Sequence, residues 1–243
     1  MCDIETRTLV LIPMVIWLAS YPRSGNTFVR VLLHSLFGFE THSSYSVAND
    51  ARNMPGDVSK LMSLVGQTEL TCDINKLRTD PGRHFVKTHD LPGEDDFPSL
   101  VLVRDGRDAA VSYAHFILKT EELIGPPGNR FERTLRDVIR GDRFGGWSRS
   151  VNAWANRVGW DRIVRYEEVI RDPVRTLVTA LTRIGGDWEL NDTTFPSFRE
   201  LHDMVPWFFR RGKPGSWCNE MPSHLQELFM EIHGSTLRHL GYE

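Results

Sequence analysis

Four groups of residues in this sequence carry side chains suited to chemistry on a charged group. Tyr21-Pro22-Arg23-Ser24-Gly25-Asn26-Thr27-Phe28 is a turn-forming stretch. Pro22 fixes one backbone angle and Gly25 tolerates conformations closed to other residues, so the loop can open into a helix whose free N–H groups attract an anion. Arg23, Ser24, Asn26 and Thr27 add donors around the same point. Lys87-Thr88-His89 offers an imidazole whose ordinary pKa suits removal of a hydroxyl proton near neutral pH. Arg104 and Ser112, eight apart, and the late run Arg210-Arg211-Gly212-Lys213-Pro214-Gly215-Ser216-Trp217 supply further anion donors. Each group has an ordinary alternative: a plain strand-to-helix turn, a histidine satisfied by backbone, an Arg104 paired with Asp105 or Asp108, and a solvated pair of loop arginines. Their convergence at several strand ends argues for a binding site beyond the carboxyl edge of a parallel sheet.

The elements that would place them there are legible in the apolar pattern. Met14 to Ser20, with Val15-Ile16-Trp17-Leu18-Ala19, reads as a buried strand; Phe28, Val29, Val31, Leu32, Leu33, Leu36 and Phe37 recur at helical spacing up to a C-cap at Gly38. Arg83 to His89 is a second strand and Ser99 to Arg104 a third, followed by a helix through Ala109 to Ile117 with Ser112 on its early turns. Residues 39–83 read as polar and mixed, with a turn at Asn53-Met54-Pro55-Gly56-Asp57 and a short helix at Val58 to Val65. Glu121 to Arg143, with Pro126-Pro127-Gly128, reads as loop-rich. Trp147 to Val158 is helical with Trp147 and Trp154 in the core, Asp161 to Tyr166 is a short strand, Pro173 to Ile184 a helix after Asp172, and Leu225 to Leu240 a final helix. The alternation predicts a single α/β domain with a central, mainly parallel sheet flanked by helices.

Composition narrows the classes of function. The 243 residues with 40% hydrophobic content suffice for one sizeable core, and a net charge of −3 gives no reason to expect bulk binding to nucleic acid. Any anion site must come from local clustering of arginines. Cys2, Cys72 and Cys218 lack metal-ligand spacing and point to a reducing, cytoplasmic setting. The apolar stretch Leu9 to Ser20, broken by Pro13, falls short of the ~20 residues of a membrane span. Residues 1–13 read as an N-terminal extension to a domain spanning 14–243.

These motifs resemble one family across most of the chain, the sulfotransferases that use 3′-phosphoadenosine 5′-phosphosulfate (PAPS), in a cytosolic-type, bacterial-like form. The loop is similar to the family's 5′-phosphosulfate loop, usually Tyr-Pro-Lys-Ser-Gly-Thr-Thr-Trp; Lys87-Thr88-His89 resembles the segment with its catalytic histidine. Arg104 and Ser112 match its 3′-phosphate motif in spacing, Tyr166 in Arg-Tyr-Glu-Glu-Val resembles an adenine-pocket tyrosine, and Arg210 to Trp217 resembles its late Arg-Lys-Gly-x-x-Gly-Asp-Trp signature. The resemblance implies a fold like that of the P-loop nucleotide kinases. It also implies that Arg23, Ser24, Gly25, Asn26 and Thr27 cradle the 5′-phosphosulfate, and that Phe28 and Tyr166 meet adenine. Arg104, Ser112, Arg210, Arg211 and Gly212 would hold the 3′-phosphate. His89 would be the general base, with Lys87 and Arg23 beside it. PAPS would be spent to 3′-phosphoadenosine 5′-phosphate (PAP) without a metal, and the acceptor would be a small-molecule or glycan hydroxyl: a sugar, glycolipid, phenol or natural product.

The sequence departs from that pattern at Arg23 and Phe28, where the family usually has Lys and Trp, and at Asp105-Gly106, where Asn-Pro is common. The Lys-Thr-Val dimer motif of many animal members is absent, so no oligomeric state is implied. The loop also lacks the Gly-Lys-Ser/Thr ending of a Walker A motif. Two other readings stand at this point, a nucleotide-dependent kinase on the related fold and a non-catalytic nucleotide-binding module.

Overall fold

The apolar run that begins the pattern forms strand β1 (Met14–Ser20), and the loop after it opens into helix α1 (Asn26–Phe37), stopped by Gly38 at φ 71°. The computed structural model describes residues 14–45, 58–69, 72–120, 129–141 and 143–242. The expected N-terminal extension and the turn at Asn53–Asp57 lie outside them. Strands β2 (Thr41–Ser43), β3 (Arg83–Thr88), β4 (Ser99–Val103) and β5 (Val164–Arg165) complete a sheet of order β2-β3-β1-β4-β5, with every neighbouring pair parallel. The fold class is therefore as expected, α/β around one parallel sheet.

Because successive strand residues face opposite sides, the apolar runs feed two cores. Ile16, Leu18, Phe85, Leu100 and Leu102 pack on one side with α1; Ala19, Val101 and Val103 pack on the other. That second side is covered by α4 (Gly106–Thr120), α5 (Arg130–Arg140), α6 (Trp147–Val158) and α10 (Ser223–His239), with Trp147 and Trp154 fully buried as anticipated. The remaining helices are α2 (Val58–Leu64) and α3 (Ile74–Leu77), before α4, and α7 (Tyr166–Arg171), α8 (Pro173–Ile184) and α9 (Phe198–Met204), between α6 and α10. Asp172 caps α8 by accepting from the Arg175 N–H, with Pro173 at the first helical position.

Three expectations are corrected. Arg130–Arg140 is a helix rather than part of a loop, held by the buried face Thr134, Leu135, Val138 and Ile139. The strand expected over Asp161 to Tyr166 is two residues long, since Trp160–Arg162 is a 3-10 turn and Tyr166 opens α7. The polar stretch after Gly38 contains the short edge strand β2, paired to β3 from Thr41↔Phe85 to Ser43↔Lys87.

Candidate functional site

The carboxyl ends of β1, β3 and β4 are adjacent in this sheet, which brings the loop at residues 21–25, Lys87 with His89, and Arg104 to one edge. They line a cavity of about 430 Å³ together with Asn26, Thr27 and Phe28 from α1, Ser112 from α4, Tyr166, and Arg210, Arg211 and Gly212. Ser24, buried at 1% exposure, stays behind the wall, and the late run contributes Arg210 to Gly212 but not Lys213 to Trp217.

The loop holds an unusual backbone. Arg23 has φ 66° and Gly25 φ 97°, and a Cβ on Gly25 would fall 2.4 Å from the Tyr166 ring. Glycine is required there twice over, by angle and by space. Asn26 ties the loop to β1 through Nδ2, which donates to the Leu18 carbonyl at 2.9 Å and Ser20 Oγ at 3.1 Å. The first turn of α1 contains no acidic residue, leaving its positive end uncompensated.

His89 is buried at the end of β3, and its Nδ1 lies 2.7 Å from the Ser20 carbonyl oxygen. A carbonyl only accepts, so Nδ1 carries the proton and Nε2 holds the lone pair. Burial lowers the imidazole pKa well below 6.5; the Lys87, Arg23 and Arg30 charges lower it further, against the opposing bond to Ser20. The ring is neutral near pH 7. Tyr45 stacks beside it at 6.0 Å, Phe144 meets its edge at 5.6 Å, and both rings line the cavity.

Across the cavity the charge is dense. Arg104 lies over the Tyr166 ring at 4.6 Å and donates to the Arg23 and Lys213 carbonyls, each at 3.3 Å. Arg23 packs over Phe208 at 4.4 Å and Phe116 at 5.0 Å, donating from Nη2 to the Phe208 carbonyl at 2.7 Å and from Nε to Ser112 Oγ at 3.3 Å. Burial, then the neighbouring Arg104 and Arg210 charges, brings the Arg23 pKa down to about 10. Guanidinium groups crowded in this way favour a multiply charged anion between them.

Two acids that sequence reasoning did not assign to the site hold it from outside the lining. Asp108, fully buried on α4, accepts from Gly215 N at 2.7 Å, Ser216 Oγ at 3.0 Å and Trp217 N at 3.0 Å, and its Oδ2 is 3.7 Å from Arg104 Nη2. Arg104 therefore has the Asp108 partner considered as its ordinary alternative and still lines the cavity. Glu220 holds Arg210, Arg211 and His115. Tyr45, Tyr113, Phe116, Phe144, Phe198, Phe208 and Phe209 are the further lining aromatics, and no spacing rule marks them in the sequence. His34 and His202 lie away from this chemistry, in contact with the backbone carbonyls of Phe39 and Phe209.

The donor set fits a nucleotide with two separated anionic ends. Ser24 Oγ, Arg104 Nε and Arg210 Nε are buried without a protein hydrogen-bond partner, and all three belong to segments around the cavity. Fold and site together define an α/β protein with a cationic cavity suited to a nucleotide-like anion at the carboxyl edge of its sheet. Residues 13–241 match the family model described as the sulfotransferase domain, and the chain belongs to that family. Sulfotransferase 1E1 of Mus musculus is 24% identical over 88% of this chain and 80% of its own length, and flavonol 3-sulfotransferase of Flaveria bidentis is 24% identical over 92% and 83%. Among solved structures, mouse sulfotransferase SULT7A1 complexed with PAP superposes with a TM-score of 0.63 at 21% identity, covering 93% of this chain and 84% of that one. Retinol dehydratase in a complex with retinol and PAP gives 0.59 at 18% identity, covering 93% and 82%. These two likenesses concern the fold. No helix among the described residues is long and apolar enough to cross a membrane.

Proposed function

We propose that this protein transfers the sulfuryl group of PAPS to an acceptor hydroxyl, with His89 as general base. The observation that carries the reading is a neutral His89, its Nδ1–H fixed on Ser20, in the same cavity as the Arg23, Arg104 and Arg210 cluster. Both solved relatives hold PAP, which supports the choice of nucleotide. Arg23, Ser24, Gly25, Asn26 and Thr27 hold the 5′ end at the start of α1; Arg104, Ser112, Arg210, Arg211 and Gly212 hold the 3′-phosphate; Phe28 and Tyr166 flank the base. Bound PAPS supplies the sulfuryl group, and the acceptor oxygen displaces PAP from sulfur in line. His89 Nε2 takes the hydroxyl proton as that oxygen becomes nucleophilic, and Lys87 adds positive charge beside it. Most of the catalysis is positioning and charge stabilisation, as in phosphoryl transfer.

The acceptor is a small molecule bearing a hydroxyl, drawn from the sugar, glycolipid, phenol and natural-product classes, and enters past Tyr45 and Phe144. The catalytic domain spans residues 14–243 and works in the cytoplasm. Calorimetric titration with PAP, ADP and ATP without added metal tests the nucleotide: selective binding of PAP is expected, and preference for ATP with magnesium would turn the assignment to a kinase. His89→Ala should bind PAP nearly as well as the wild type while turnover falls roughly 10²-fold or more. Unchanged turnover would remove His89 as the base.

A further inference from the structure

Arg210 and Arg211 lie in residues 209–213, which form neither helix nor strand. Backbone geometry alone does not aim their guanidinium groups, yet both line the cavity. We propose that Glu220 is a positioning residue, which sets Arg210 and Arg211 for recognition of the nucleotide 3′-phosphate while making no contact with the nucleotide itself. The proposal rests on the PAPS reading above.

Glu220 follows the 3-10 turn Ser216–Asn219 and lies outside the cavity lining. Each of its oxygens takes two partners. Oε2 accepts from Arg210 Nη1 at 2.7 Å and lies 2.8 Å from His115 Nε2; Oε1 accepts from Arg210 Nη2 at 3.1 Å and Arg211 Nη1 at 3.0 Å. A carboxylate gripping the end of a guanidinium by both Nη atoms fixes its plane as well as its place. The grip leaves the Nε of Arg210, which is buried and has no protein partner, as a donor on the side turned from Glu220. His115 supplies the reference point. It lies three residues after Ser112 on α4, and a residue three further along a helix shares its face. Glu220 thus ties the arginines of an irregular segment to the helix face that carries the serine of the same phosphate site.

Charge favours positioning over competition with the ligand. Arg23 lies within the field of Arg104 and Arg210, whose charges add to the larger effect of burial in lowering its pKa. A carboxylate behind Arg210 offsets that field while leaving the cavity side of the cluster to the anion. Burial raises the Glu220 carboxyl, but hydrogen bonds from Arg210 and His115 and the Arg210 and Arg211 charges outweigh it, so it is held below the usual carboxylate range and is ionised near pH 7.

The test compares PAP with 5′-AMP, which differ by the 3′-phosphate, in calorimetric titrations of the wild type, Glu220→Gln, Arg210→Gln and the double variant. Glu220→Gln should weaken PAP about tenfold and leave 5′-AMP unchanged, the loss expected when a charge-assisted pair is replaced by a neutral one. The double variant should bind PAP worse than Arg210→Gln alone by clearly less than tenfold, because the share of the Glu220 effect that runs through Arg210 is already lost and only the share through Arg211 remains. Tighter PAP binding by Glu220→Gln would make Glu220 a competitor of the phosphate and overturn the proposal. An equal loss for both nucleotides, or none, would overturn it as well. A wild type that does not prefer PAP to 5′-AMP would instead refute the PAPS reading, and the positioning role with it.

Discussion

Replacement of Asp108 by asparagine tests whether the late segment is held from inside α4. The Asp108 side chain is fully enclosed and serves three donors across more than a hundred residues of sequence: Gly215 N through Oδ2, and Ser216 Oγ and Trp217 N through Oδ1. Asparagine preserves the shape and one oxygen. If that oxygen keeps the Ser216 and Trp217 bonds, the amide nitrogen faces the Gly215 N–H and Arg104 Nη2, so donor meets donor. One hydrogen bond to a charged group, about 1.5–3 kcal/mol, is lost, and an unpaired donor stays buried at a cost of about 1–3 kcal/mol. A combined loss of about 3 kcal/mol is a conservative sum. For a chain of this size each kcal/mol moves Tm by about 2–4 °C, so thermal unfolding followed by circular dichroism should show Tm lower by roughly 6–12 °C. Calorimetry should show PAP affinity falling with it, since Arg104 and the segment from Arg210 to Gly212 share this anchor. A Tm within about 2 °C of wild type would refute the reasoning, because Gly215 to Trp217 would then be held by something other than Asp108.

Gly25→Ala would place a Cβ 2.4 Å from the Tyr166 ring at a φ of 97°, a backbone strain of order 1–3 kcal/mol before any clash; PAP affinity should fall more than tenfold, and a variant that binds normally would show that the loop need not adopt this shape. The pH profile follows from the lowered pKa of His89. With His89 as the proposed base the neutral ring would be the active form, so the acid limb of kcat/KM should have its midpoint below pH 6.5, and a midpoint at or above 6.5 would contradict the burial argument. The same group depresses stability in acid. The unfolded histidine binds its proton as pH falls through 6.5 while the folded one does not, so its contribution is complete above 6.5 and is lost as pH falls toward the folded value.

The central half of the sheet was legible because its signals are local. Met14 to Phe37 carries a strand pattern, a turn of Pro and Gly and a helix pattern in unbroken order, and Ser99 to Thr120 repeats the scheme. The misread parts are those where tertiary contacts decide. In Arg130–Arg140 four arginines surround a narrow apolar face, and the nearby Pro126-Pro127-Gly128 pulls the reading toward loop; the helix exists because α4 and α10 offer that face a surface. β2 and β5 are edge strands of three and two residues, too short to show an alternation. In the candidate site, the residues that type and spacing single out gather around one cavity, whereas those defined by distant partners carry no sequence signal. Nothing near Asp108 in the sequence announces Gly215, and nothing near Glu220 announces His115.

The electrostatics of the site explain how a chain of net charge −3 can hold a polyanion. Its local field is set by placement. Arg23, Arg104, Arg210 and Arg211 line the cavity, while the acids paired with three of them, Asp108 with Arg104 and Glu220 with Arg210 and Arg211, lie outside its lining. Such an arrangement reduces repulsion among the cations from behind, and the acid that does line the cavity, Asp90, follows His89 at the end of β3, away in sequence from the arginine segments. Arg23 shows why the loop tolerates arginine where relatives of the pattern have lysine. Its planar guanidinium packs on Phe208 and Phe116 and donates sideways to the Phe208 carbonyl and Ser112. An ammonium, a compact and strongly hydrated charge, lacks the flat face for that packing and the fork for two divergent bonds. The arginine therefore braces three separate pieces of the site, the loop after β1, helix α4 and the late segment. A lysine there would keep the charge and lose the brace.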